Sequence, residues 1–253
     1  MPEVFDVGQI PDDPMHMPPP YWRSSGAVFQ VVSSLQKLLA LLNQLVPLNR
    51  KTDERLKAYF EEKPDPPEED LEFSDICDDL WQCEHEIGLV VETAILTAAI
   101  ASEDHLNMCA VFNLHRDVSE PLEKLSPTEK LQVISALLDK PGITGKALFG
   151  ELKLLSQWRN AYAHGHCVDR TTKTLRHNHL VTPAELPGIP SEIKDVINMV
   201  GCCVRIYDHV ALISKNPYTR GKSLEIEEIR SLLREIARFR FSGSDSVYEV
   251  TVE

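Results

Sequence analysis

The 253-residue chain has no C-x-x-C pair, no glycine-rich phosphate loop, no G-x-S-x-G nucleophile elbow and no H-E-x-x-H helix; Glu84-His85-Glu86 is not a protease motif. These gaps leave out a redox dithiol, a P-loop or dinucleotide site, an α/β-hydrolase serine and a zinc protease. Basic residues are also short, with 26 Lys and Arg against 39 Asp and Glu and a formal net charge of -13. A protein that coats nucleic acid non-specifically needs the opposite balance, so any phosphate contact must lie in a patch whose charge opposes the average. No signal peptide is visible, and the most apolar run, Ile87 to Ala101, carries Glu92 and falls short of the roughly 20 residues a bilayer span needs. Several of the six cysteines (Cys77, Cys83, Cys109, Cys167, Cys202 and Cys203) sit in apolar helical runs, where a free thiol behaves as a small hydrophobe. The expectation is a soluble cytoplasmic protein with reduced thiols and no membrane contact.

What is present suits one large domain with extensions: hydrophobic content is 43% and charged content 26%. Residues 1–25 are proline-rich and aperiodic and read as a disordered arm. Residues 26–73 read as an N-terminal helical extension, with one helix from Gly26 to Leu45 stopped by Pro47, a second from Asn49 to Glu62, and an acidic linker over 64–72. The main domain is assigned to 74–214. Ser74 looks like an N-cap for a helix reaching Ala101, a further helix covers 103–115, and Ser126-Pro127-Thr128-Glu129 carries a cap, a first-turn proline and a capping-box glutamate. Helices over 144–164 and 191–214 follow, with a loop or short hairpin between them. Residues 215–253 hold a last amphipathic helix, 224–240, and a tail. The fold class is all-α: an antiparallel helical bundle with additional N- and C-terminal helices.

Arg159-Asn160-Ala161-Tyr162-Ala163-His164 ends the 144–164 helix, with Gly165 at the stop position. Asn160 and His164, four apart, share a face, and Arg159 projects about a quarter-turn away. The negative end of the helix dipole favours imidazolium at His164, and a histidine titrating near neutrality gives or takes protons. Arg159 is permanently charged and can hold a phosphate through two parallel bonds. Asn160 could orient the histidine or the phosphate. The plain alternative is that all three cap carbonyls and make salt bridges.

The hexapeptide resembles the R-φ-x-x-x-H signature of the HEPN superfamily, small helical domains found in many RNA-cutting toxins and defence proteins. Asn160 occupies the φ position, and the motif lies late in one long helix that follows another, as in that family. The resemblance covers about 74–214. It implies a HEPN-type bundle and a metal-independent endoribonuclease without cofactor: the ribose 2′-hydroxyl attacks phosphorus, His164 moves protons and Arg159 stabilises the phosphoryl charge. It also implies a homodimer with two motifs across one cleft, RNA as substrate, an antitoxin or other regulatory protein as partner, and a role as toxin or antiviral effector. Some domains similar to the family keep the fold without cutting, so a non-catalytic RNA- or nucleotide-binding or dimerisation module is the alternative. His166 stands where a subgroup has a tyrosine that its antitoxin adenylylates, so that regulation does not carry over; His166 reads as a second proton carrier or a loop residue.

From Lys153 to His179 the bases Lys153, Arg159, Arg170, Lys173 and Arg176 face a single acid, Asp169, in a reversal of the overall charge. With Tyr162 and His166, the last three form the expected RNA-contacting set, a solvated loop with scattered charge being the alternative. His164, His166, Cys167, His177 and His179 lack a recognised metal spacing, and no metal is expected. Glu84 is a candidate partner for Arg159 or His164, and Trp81 and Trp158 fall on apolar stripes and read as core.

Overall fold

The computed structural model describes residues 19–65, 70–138, 140–164, 167–169, 174–176, 188–220, 223–244 and 248–253; for Pro19, Pro20, Trp22, His164, 167–169 and 174–176 it describes the backbone alone. The chain is mainly helical. Two helices of more than 40 residues, α1 (Pro19–Glu62) and α2 (Leu71–Asn113), form a long hairpin. Against it lie α3 (Arg116–Leu122), α4 (Pro127–Leu137), α5 (Ala147–His164), α6 (Ile189–Ile213), α7 (Pro217–Arg220) and α8 (Leu224–Ile236).

α1 is one helix where the sequence predicts an arm and two helices. Its first described residue is Pro19, and residues 1–18 of the expected arm lie outside the described residues. The helix runs through Pro47, although an interior proline loses a backbone bond and costs about 3 kcal/mol. The buried stripe explains why: Leu35, Leu38, Leu42 and Leu45 precede the proline, and Thr52 and Tyr59 continue on the buried side after it. Packing along α2 outweighs the local break.

α2 is also continuous where two helices are expected. Its N-cap is Asp70, not Ser74: the Asp70 carboxylate accepts from the Glu72 backbone N–H at 2.9 Å and from the Tyr59 hydroxyl at 2.8 Å. The polar run that suggests a break, Ser102 to His105, is instead held inside the helix. Ser102 donates to the Ala98 carbonyl at 2.7 Å, and Asp104 pairs with Arg23 of α1 at 2.9 Å. Continuity changes one expectation. By length and composition, three helices among the described residues, within Arg23–Glu62, Leu71–Asn113 and Ile189–Ile213, are long and apolar enough to cross a membrane; 44%, 56% and 56% of their most apolar windows are buried inside the protein.

The start of α4 is as the sequence specifies. The Glu129 carboxylate accepts from the Ser126 N–H at 2.8 Å while Ser126 Oγ accepts from the Glu129 N–H at 3.4 Å. Ser126→Ala is expected to destabilise the protein by about 1 kcal/mol, read as a lower urea midpoint at unchanged m-value.

Around the hairpin, one core joins α1, α2, α4, α5, α6 and α8, with Leu42, Ile95, Leu131, Leu155, Val200 and Ile229 among its members. After α5 a short antiparallel hairpin pairs β1 (Cys167–Asp169) with β2 (Thr174–Arg176). The final segment is a second hairpin, β3 (Phe239–Gly243) with β4 (Tyr248–Val252), in place of the predicted end of a helix and tail. Gly243, the last residue of β3, has φ 110°, a conformation that side chains disfavour. Phe239 and Val250 seal that hairpin onto the core.

One core residue makes stability depend on pH. His105 of α2 is 4% exposed and stacks on Tyr207 of α6, with ring centres 3.6 Å apart and planes within 12°. Burial pushes its imidazole down to about 3, whereas the unfolded chain takes up the proton near 6.5. Its contribution is therefore complete above about 6.5 and is lost as pH falls towards about 3. His105→Phe, which keeps the stack, is expected to lose less stability than wild type between pH 7 and pH 4. Equal losses in urea titrations at the two pH values would contradict this.

Candidate functional site

The motif occupies the last two turns of α5, which Leu152, Leu155, Trp158 and Ala161 anchor in the core. That anchoring fixes the side of the helix left for polar groups. There, Arg159 is one-third exposed and donates through Nη1 to Glu103 of α2. Glu103 in turn accepts from Lys130 of α4 at 2.8 Å, and the Lys130 side chain is 1% exposed.

Three helices thus converge on a cation–anion–cation row. Among the described residues one carboxylate faces two cations, so there a positive charge is left over. It resides at the exposed end, because Lys130 is enclosed and Arg159 is not. Asn160 turns its Oδ1 towards Arg159, accepting from Nε at 3.3 Å and from Nη2 at 3.1 Å. Three of the five N–H groups that a guanidinium carries are committed to holding it in place. The asparagine oxygen is therefore set to orient the arginine, a role different from the two expected of it.

His164 is the last residue of α5, four positions beyond Asn160 and so on its face of the helix; its side chain lies outside the described residues. His166, Arg170 and Lys173 also lie outside them. Arg176 sits in β2 with its backbone opposite Cys167, so the hairpin begins directly beyond the motif helix. Tyr162 is half-buried rather than exposed, its ring 5.4 Å from that of Trp158. Trp158 belongs to the core, as its stripe predicts. Trp81, predicted to be core, is 47% exposed.

Glu84 does not reach the motif. It accepts from the Tyr248 hydroxyl at 2.6 Å, tying α2 to β4, and lies roughly 28 Å along the helix axis from Glu103. The acid that pairs with Arg159 is Glu103, and neither it nor Lys130 stands out in the sequence. Ser102-Glu103-Asp104 looks like an interhelical break, and Lys130 follows a cap where surface lysines are common. Among the described residues no group of three or more His, Cys, Asp or Glu is placed to hold a metal ion. The five described cysteines are buried and free, and burial pushes the thiols of Cys109 and Cys203 up to about 12.

No protein-family model, no curated protein and no solved structure matches the chain.

Proposed function

We propose that the protein is a HEPN-like, metal-independent endoribonuclease that acts as a homodimer. The observation that supports this best is the row Lys130–Glu103–Arg159, in which, among the described residues, one positive charge has no acid of its own and falls on the one-third-exposed guanidinium near the helix end at His164. An oriented cation beside a histidine is the equipment needed to cleave RNA through its own 2′-hydroxyl. The 2′-oxygen gives up its proton and bonds to phosphorus. The P–O5′ bond breaks, and the leaving 5′-oxygen takes a proton, giving a 2′,3′-cyclic phosphate and a 5′-hydroxyl. His164 serves as the proton carrier, and Arg159 stabilises the charge on the non-bridging oxygens. A second motif from a partner copy supplies the second proton carrier, since one helix end cannot flank the phosphate from both sides.

In this reading Arg170, Lys173 and Arg176 guide the RNA backbone to the motif, with Tyr162 and His166 at its edge. Reversing all three charges is expected to weaken RNA binding by about tenfold or more at low salt and to flatten its salt dependence. Unchanged affinity and slope in a fluorescence-anisotropy titration would remove these residues from the groove. A toxin or antiviral role in the cytoplasm, restrained by a regulatory protein, is the setting that the resemblance suggests.

One observation favours the second reading, a non-catalytic binding or dimerisation module: Arg159 already has an intramolecular acid partner in Glu103. Incubation with total RNA in EDTA separates the two. Cleavage that disappears in both His164→Ala and Arg159→Ala supports the enzyme, and undiminished integrity of the RNA supports the module.

A further inference from the structure

A cavity of about 320 Å³ lies on the far side of α2 from the motif, between α1, α2, α6 and α7, and Tyr21, Ser24, His105, Tyr207, Tyr218 and Glu225 contribute to its lining. Glu103 and His105 are two positions apart on the helix, so they project about 200° from one another. We propose that this cavity binds a small organic cation whose N–H groups donate to His105 and Glu225.

His105 lines the cavity, is 4% exposed, and neither ring nitrogen has a hydrogen-bond partner among the described residues. A neutral imidazole presents one N–H donor and one lone-pair acceptor, and buried polar groups are ordinarily satisfied. The ring is also held still: it stacks on Tyr207, whose hydroxyl bonds to Ser24 Oγ at 2.6 Å. The acceptor is therefore built in before any ligand arrives. Burial keeps this imidazole neutral, with its pKa pushed down to about 3, so it does not repel a cation.

The rest of the lining fixes the sign of the ligand. Among the described residues no lysine or arginine contributes to it. Nearby Arg23 is paired with Asp104 at 2.9 Å. Glu225 is the one lining carboxylate among the described residues, and the Ser223 hydroxyl bonded to it pulls its pKa below the usual range and keeps it ionised. At the mouth, Tyr21 and Tyr218 meet edge to face with ring centres 6.2 Å apart, offering aromatic faces of the kind cations favour. Phosphates and carboxylates are disfavoured by the same charge. The volume sits at the lower end of ligand cavities and suits a molecule of about one ring.

The test titrates the full-length protein with benzylamine, benzyl alcohol and benzoate, following heat release and the ¹⁵N resonances of the His105 ring. Benzylamine is expected to saturate and move one ring nitrogen, benzyl alcohol to bind about tenfold more weakly, and benzoate not to bind. Glu225→Gln is expected to remove most of the preference for the amine over the alcohol. His105→Phe keeps the stack and is expected to abolish the amine complex. If that variant folds poorly, Tyr218→Leu at the partly exposed mouth is expected to weaken benzylamine several-fold. No saturation by benzylamine at millimolar concentration, equal binding of all three probes, or indifference to Glu225→Gln would each overturn the proposal. The outcome is independent of RNA cleavage, because no residue is shared with the motif.

Discussion

Replacing His164 by alanine is expected to lower RNA cleavage by about 10²–10⁴-fold, the range over which a positioned proton carrier accelerates a step. Arg159→Ala is expected to cost about 10²–10³-fold, as for loss of one group that stabilises developing charge. The two should differ in origin. Arg159→Lys keeps a charge but loses the planar fork that Asn160 and Glu103 hold, so it should recover only part of the lost rate. His164→Ala leaves the row Lys130–Glu103–Arg159 intact, and its melting temperature should stay near that of wild type. Equal cleavage by His164→Ala and wild type would contradict the assigned role.

The second large effect concerns stability. Glu103→Ala strands the Lys130 ammonium, 1% exposed, without its carboxylate. Breaking a buried pair from one side costs about 3–5 kcal/mol, on the order of 10 °C in Tm for a chain of this size. Glu103→Leu combined with Lys130→Met removes both charges and is expected to regain most of that stability, because apolar groups of similar volume replace a buried pair well. The double variant should still cleave poorly, since Arg159 has lost its acid anchor. Differential scanning calorimetry with a cleavage assay separates the two effects. A Glu103→Ala protein that melts with wild type would show that Lys130 finds another partner and that the row is not structural.

The sequence was most readable where structure is set locally. The Ser126–Glu129 box places the start of α4, and the arginine-to-histidine segment ends α5 next to a short hairpin, one of the two forms the sequence leaves open there. It was least readable where long-range packing decides. Pro47 looks like a stop, yet the Leu35 to Tyr59 stripe along α2 carries the helix through it. Ser102 to His105 looks like a gap, yet each residue there has a separate task on a different side of one helix: a carbonyl bond, the arginine anchor, a pair with α1 and the Tyr207 stack. At the other end, Phe239 continues the spacing of Leu232 and Ile236 and so lengthens the predicted helix, while the chain switches to a strand that buries the same ring. The site divides in the same way. Arg159, Asn160 and His164 were legible because one helix carries them. Glu103 and Lys130 were not, because the contact between them joins positions 27 apart with no local pattern to mark it.

The most direct measurement is an end-group analysis of RNA incubated with the purified protein in excess EDTA. Cleavage with 2′,3′-cyclic phosphate and 5′-hydroxyl ends, lost in His164→Ala, is expected. Products ending in 3′-hydroxyl and 5′-phosphate, or RNA left intact, would contradict the proposed function.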